Sequence, residues 1–359
     1  MTRTRISSCV ALCLAVAGCG PLPVDESVTR CLSVTEPSGG AGLVTTLPSR
    51  VSLLFKVDTC AGEPVSGLDA SHFTVTEDGR AVSAFESQTR VQPKGERFRL
   101  DSLLLLDLSG STLRSGDFGA LQAAAKHYVA TVLASGPESQ RVAVMTFDGR
   151  VAPQLLVDYT NDAALLQAGL DSLSVPECRV SADCAGYADR RTCAGWRCVD
   201  DSTNLNGALV SALASLDARL KLTDVPWRDA ALVLFTDGTD QAARVLPATA
   251  MEAARATHAH VFSVGLGGEV DEASLRAYGK DGYWPVADAR GLDAAFTTIA
   301  ARVNGLANRF YLLEYCSPKR SGTHTLKVVA SLPQEGGAPL IGGLSLSFDA
   351  TGFGSGCEL

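Results

Sequence analysis

Leu103-Leu104-Leu105-Leu106 is an unbroken apolar run, closed by the polar stretch Asp107-Leu108-Ser109-Gly110-Ser111. The run is too short for an independent helix and suits a strand buried on both faces. From residue 101 to 308, strands of this kind alternate with stretches of helical period. Phe118 to Leu133 has apolar residues at helical spacing and is rich in Ala and Leu, which favour helix. Arg141 to Phe147 predicts a second strand, which Asp148-Gly149 turns into an antiparallel neighbour over Gln154 to Val157. Asn161-Asp162 caps a helix running to about Leu170. Asn204 to Leu220 (helix), Ala230 to Phe235 (buried strand), Ala248 to Thr257 (helix) and His260 to Val264 (strand) continue the alternation. A short helix over Ser274 to Tyr278, an edge strand at Tyr283 to Val286 that tolerates Pro285, and an amphipathic helix over Leu292 to Leu306 complete it. Such alternation predicts a doubly wound α/β fold with a mostly parallel sheet and helices on both faces.

Both flanks have period two instead. Arg50 to Val57 and Phe73 to Thr76 have strand character, and Glu77-Asp78-Gly79-Arg80 makes a hairpin-type turn. Phe310 to Tyr315, Thr323 to Val329 and Leu340 to Phe348 predict strands after the last helix. Residues 31–100 look like a small β-sandwich of immunoglobulin-like type. Residues 309–359 are expected to complete it, with the helical region inserted between the halves and its ends close together.

Composition narrows the function. Apolar residues make up 46% and charged residues 19% of the 359, a globular balance. The net charge of -8, without any Lys/Arg cluster, argues against nucleic acid as a partner. At the N-terminus, Arg3 and Arg5 precede the apolar stretch Val10 to Ala17, which falls well below the roughly 18 residues that a membrane span requires. Val16-Ala17-Gly18-Cys19 resembles the lipobox of bacterial lipoproteins; an ordinary signal peptide cleaved near Ala17 is the alternative. The lipobox implies a signal over 1–18, lipid on Cys19, a tether over 19–30 and a place in the bacterial cell envelope. Gly20 follows the Cys where no Asp signals inner-membrane retention, so the outer membrane is preferred.

The chain has 11 cysteines. Setting aside Cys9, Cys13 and Cys19 leaves Cys31, Cys60, Cys178, Cys184, Cys193, Cys198, Cys316 and Cys357, an even number that predicts four disulfides in an exported protein. Cys31 and Cys60 are expected to staple the first β-rich segment, although the pairing of these two with Cys316 and Cys357 stays open. Four cysteines fall within 176–201, a polar segment that interrupts the alternation. A zinc knuckle there lacks the paired C-x2-C that zinc sites favour. Two local disulfides are preferred. Likeness to small Cys-rich modules suggests Cys178 with Cys193 and Cys184 with Cys198, and other pairings remain possible.

The candidate chemistry lies where strands end. Asp107, Ser109 and Ser111 put three oxygens at alternate positions on the loop leaving the first strand, a set suited to a hard cation. Taken alone, the stretch also reads as a polar loop with a serine cap. Thr203 precedes a helix, and Asp237 follows a buried strand in Thr236-Asp237-Gly238. Loops at the carboxyl ends of parallel strands converge, which brings these blocks together. The set resembles the metal-ion-dependent adhesion site (MIDAS) of the von Willebrand factor A domain, and the order of elements agrees over 101–308. The resemblance implies that Ser109, Ser111 and Thr203 are direct or near-direct ligands of Mg²⁺ or Mn²⁺. Asp107 and Asp237 would act largely through water, and one open position would take an Asp or Glu of a protein partner. Asp240 is expected to cap a helix or support the site from outside.

Rival chemistries are weaker. His258-x-His260 lacks a third metal ligand at defined spacing, and Gly265-Leu266-Gly267-Gly268 lacks the acidic residue of a dinucleotide fingerprint. Neither G-x-S-x-G nor H-E-x-x-H occurs. The expectation is a lipid-anchored, non-enzymatic binder of a protein ligand. The alternative is a scaffold in an envelope or secretion assembly with a structural metal.

Overall fold

The computed structural model describes residues 31–37, 42–93, 97–114, 116–136, 138–174, 177–185, 191–194, 196–199 and 202–359. The segments expected to be signal (1–18) and tether (19–30), with Cys19, lie outside them. Among the described residues no helix is long and apolar enough to cross a membrane.

Six strands precede the central sheet: β1 (Leu32–Thr35), β2 (Leu43–Thr46), β3 (Arg50–Thr59), β4 (Phe73–Glu77), β5 (Arg80–Ala81) and β6 (Arg90–Pro93). The central region then runs β7 (Phe98–Asp107), α1 (Gly110–Arg114), α2 (Phe118–Ala134), β8 (Gln140–Phe147), β9 (Gln154–Thr160) and α3 (Ala163–Ser172). The short hairpin β10 (Thr192–Ala194) and β11 (Arg197–Val199) leads to α4 (Leu205–Leu220), β12 (Trp227–Thr236), α5 (Pro247–Ala256) and β13 (His260–Leu266). It closes with α6 (Glu272–Tyr278), β14 (Gly282–Val286) and α7 (Leu292–Asn308). Three strands end the chain: β15 (Phe310–Cys316), β16 (Thr323–Gln334) and β17 (Gly337–Asp349).

The central sheet has the order β14-β13-β12-β7-β8-β9. It is parallel except at its β8–β9 edge. This is the doubly wound α/β fold that the alternation predicts. Leu104 and Leu106 pack with α2 and α7, through Leu121, Tyr128, Phe296 and Ile299. Leu103 and Leu105 pack on the other face with α4 through Leu209, Leu213 and Leu216. Period-two alternation into two apolar layers explains why the strand reads as a continuous apolar run. The chain leaves β7 for β8 on one side and later returns to β12 on the other. The loops after β7 and β12 therefore flank the point where strand order reverses.

β7 starts five residues before the Leu run, and β12 starts at Trp227, before the apolar stretch. Polar residues extend both strands because they are paired. Asp101 is fully buried and accepts from Arg219 Nε at 3.1 Å and from Arg228.

The remaining strands form two sheets. One has the order β1-β3-β15-β6 with β2 also on β3; the other runs β17-β16-β4-β5. Both combine strands from before and after the central region, and their shared core includes Leu53, Phe55, Tyr311, Leu313, Val328 and Phe348. Disulfides join Cys31 to Cys60 and Cys316 to Cys357. β1, β2 and β6 carry too few residues for their patterning to be read in sequence, and pairing with the long strands β3 and β15 defines them. The two chain crossings into the central region lie side by side, with Phe98 and Phe310 stacked at 4.2 Å between ring centroids. Beside them, buried Arg309 donates to Asp58 Oδ1 at 3.0 Å and to Asp229 Oδ2 at 3.4 Å.

Candidate metal centre at the carboxyl ends of the parallel strands

Asp107 is the last residue of β7 and is fully buried. The Leu108 N–H donates to the Phe147 carbonyl at 2.8 Å, which carries the chain past the end of β8. The Ser109 N–H then donates to Asp107 Oδ1 at 2.8 Å, a tight turn that leads into α1 and sets the hydroxyl of Ser109 beside that of Ser111 in its first turn. The hydroxyls of Ser109 and Ser111 are 3.3 Å apart, and Ser111 Oγ donates to Asp237 Oδ1 at 2.8 Å. On the other side, Thr236 Oγ1 donates to Asp107 Oδ2 at 2.6 Å. One hydrogen-bonded chain thus links Thr236, Asp107, Ser109, Ser111 and Asp237 across the β7 and β12 loops.

Thr203 is buried in the adjacent loop, held by its backbone. Its carbonyl accepts from the Gln241 and Ala242 N–H groups at 2.9 and 3.0 Å. The neighbouring Asn204 N–H donates to the Asp148 carbonyl at 2.9 Å, and Asn204 Nδ2 donates to the Arg150 and Val151 carbonyls. Gly207 is required beneath it, because a Cβ there would lie 2.5 Å from Asn204 Oδ1. Among the described residues no hydrogen bond joins the Thr203 hydroxyl to the other four candidate ligands, so Thr203 belongs to the ring of loops and not to the bonded chain.

The electrostatics favour a bound cation. Burial, and then the charge of Asp237, push the Asp107 carboxyl up to about 7, although hydrogen bonds from Ser109 and Thr236 work the other way. Burial also raises Asp237, with Asp117 adding a like charge. Among the described residues no Lys or Arg forms an ion pair with Asp107 or Asp237. Two carboxylates and the hydroxyls bonded to them in a partly buried loop cluster, with no cationic side chain paired to them among the described residues, form an all-oxygen donor set that fits a hard divalent ion.

Three contributors were not singled out from sequence. Thr236 carries only the weak signal of a hydroxyl beside Asp237. Asp148, buried and held by Arg150 Nε at 2.8 Å, and Asn204 have no signal, because their role is to join loops distant in sequence. Asp240 caps from outside, accepting from the Asn206 N–H at 3.0 Å in the first turn of α4.

The Cys-rich insert borders this face. Disulfides join Cys178 to Cys193 and Cys184 to Cys198, which leaves no thiolate for zinc. β11 packs against α1, the one-turn helix that contains Ser111. His260 lies at the opposite end of the sheet. Its Nδ1 lies 2.9 Å from Asp281, and its Nε2 lies 3.7 Å from Asp229 and 3.4 Å from Arg309 Nη2, an ion-pair network rather than a metal site.

No protein-family model matches the sequence, and no curated protein matches it. Solved structures similar to the chain include von Willebrand factor A domains. A von Willebrand factor type A protein from Catenulispora acidiphila is similar over 88% of this chain and 72% of its own, at 11% identity and a TM-score of 0.44. Manganese-loaded TRAP protein of Plasmodium vivax is similar over 74% of this chain and 99% of its own, at 12% identity and a TM-score of 0.43. Proximal thread matrix protein 1 of the mussel byssus, with a zinc-occupied MIDAS motif, is similar over 64% of this chain at 16% identity and a TM-score of 0.41. The match spans 49% of that mussel chain.

Proposed function

We propose that this protein binds a protein ligand through a divalent cation held in a von Willebrand factor A-type domain over residues 101–308. The observation that carries the reading is the hydrogen-bonded chain from Thr236 through Asp107, Ser109 and Ser111 to Asp237, which assembles two carboxylates without a cationic partner among the described residues. Ser109, Ser111 and Thr203 would hold Mg²⁺ or Mn²⁺, with Asp107 and Asp237 supplying charge. Held by these residues, such an ion would supply the affinity for a partner carboxylate that would let an acidic ligand dock on a protein of net charge -8. Ser111 Oγ donates to Asp237 within this chain of oxygens, which supports a binding role for the serines over a nucleophilic one.

We further propose that residues 31–100 and 309–359 form one β-sandwich module carrying this domain, as the mixing of early and late strands in both sheets supports. Lipid on Cys19, after removal of residues 1–18, would tether the protein at 19–30 to the cell envelope, with the outer membrane favoured. Membrane fractionation tests the anchor, since Cys19→Ala should release the protein. Isothermal titration tests the cation. Wild type should bind Mg²⁺ or Mn²⁺ and Asp107→Ala should not; no heat from wild type at millimolar ion overturns the reading.

A further inference from the structure

Large apolar side chains stand exposed around the cation face. Val151 and Leu246 are each 72% exposed, Trp196 is 71% exposed and Val180 is 58% exposed. Backbone ties bring their loops to the site. The Val151 carbonyl accepts from Asn204, next to Thr203, at 3.1 Å. The Val245 carbonyl, beside Leu246, accepts from Asn206 Nδ2 at 3.1 Å. Arg244 Nε donates to the Gly149 carbonyl at 3.1 Å and joins those two loops to each other. Trp196 and Val180 belong to the Cys-rich insert, whose β11 packs on the helix that contains Ser111.

The backbone of Trp196 is fixed. Its φ of 65° is the left-handed region that a bulky residue seldom adopts. Its carbonyl accepts the Cys178 N–H at 3.0 Å, and the flanking hairpin pairs Cys193 with Cys198, each in a different disulfide. Among the described residues of the insert, the buried side chains are Cys178, Cys184 and Cys198. Disulfides therefore replace an apolar core there, and the largest apolar residue of the insert faces solvent beside a depression of about 460 Å³ lined by Glu177, Arg179 and Asp183. A tryptophan on a fixed backbone has only two side-chain torsions to order when a partner covers it, which is the property of an interface anchor.

We propose that Trp196 anchors a protein-binding rim on the cation face, whose occupant is a protein segment that presents an acidic residue to the cation and an apolar side chain to Trp196. The inference rests on the cation-dependent reading above. The carboxylate would dock through the cation, and Trp196 would select among acidic segments by what stands beside the acid.

Panning a library of random displayed peptides on the full chain in millimolar Mg²⁺ tests it. Peptides released by chelator should carry Asp or Glu with an aromatic or aliphatic residue at a recurring spacing. Trp196→Ser should weaken such a peptide by about tenfold or more, on the scale of interface anchors. Trp196→Tyr should retain most of the affinity, and both variants should titrate Mg²⁺ as wild type does. Enrichment of acidic residues without an apolar companion, or equal binding by Trp196→Ser, overturns the anchor and leaves the cation reading standing. Failure to retain any chelator-sensitive peptide, with Mg²⁺ bound, overturns protein-ligand binding and the anchor together.

Discussion

The Thr236 hydroxyl donates to Asp107 Oδ2 at 2.6 Å, joining the last residues of two adjacent parallel strands. Asp107 Oδ1 meanwhile accepts from the Ser109 backbone. Both oxygens of a fully buried carboxylate are therefore directed, and the Ser109–Ser111 loop is set relative to Asp237.

Thr236→Val keeps the shape of the residue and removes this donor. It leaves a buried acceptor short of a partner, at a cost of about 1–3 kcal/mol. Thermal unfolding should show that loss, and Mg²⁺ titration should show affinity reduced roughly tenfold, as when an outer-sphere hydrogen bond to a ligand is cut. Wild type should gain about 2.7 kcal/mol of stability at a hundredfold excess of Mg²⁺ over its dissociation constant. An unchanged Mg²⁺ affinity in Thr236→Val would remove Thr236 from the site.

Gly207→Ala places a methyl group 2.5 Å from Asn204 Oδ1. Asn204 must then give up its bonds to the Arg150 and Val151 carbonyls, and Thr203 moves with it. Overpacking of this kind costs about 1–3 kcal/mol. Calorimetric unfolding should record it, along with weaker cation binding that Gly207→Ser reproduces.

His260 makes stability depend on pH. Burial opposes its charge, but hydrogen bonds to Asp229 and Asp281 outweigh burial and raise it from 6.5 to about 9; the Arg309 guanidinium is its cationic neighbour. A folded value above the unfolded one means that the contribution is complete below pH 6.5 and is lost as pH rises through about 9. Its size is on the order of 3 kcal/mol. Denaturant unfolding from pH 6 to 10 should show this decline, and His260→Gln should flatten it.

Replacing Cys184 and Cys198 together with serine should loosen the insert without melting the sheet. The disulfide closes 14 residues of separation, for which loop entropy gives about 3 kcal/mol. Limited proteolysis should cut the variant within 177–199 while the main unfolding transition and Mg²⁺ affinity stay near wild type. Loss of Mg²⁺ affinity would show instead that the insert holds Thr203 in place.

Much of the central region was legible because its signals are local. Leu103 to Leu106 reads as a doubly buried strand from four consecutive residues, and its neighbours do alternate into two apolar layers. Asp107, Ser109 and Ser111 lie within one turn, so their spacing alone brings their oxygens near one another. The even set of cysteines is likewise a matter of counting. The start of β7 was not legible, since Asp101 is polar and belongs in a strand only because Arg219 and Arg228, more than a hundred residues away, neutralise it.

By itself, the sequence determined which residues can bury, which can turn and which oxygens stand at strand ends, because these follow from side-chain chemistry and a periodicity of two or 3.6. Only the tertiary structure decided which oxygens meet. Thr236 reaches Asp107 because β12 lies beside β7, and Ser111 reaches Asp237 for the same reason. Thr203 is bonded through its backbone instead, because the loops after β8 and β12 hold Asn204 and the Thr203 carbonyl. Strand order sets those distances, and it depends on the packing of all the layers together.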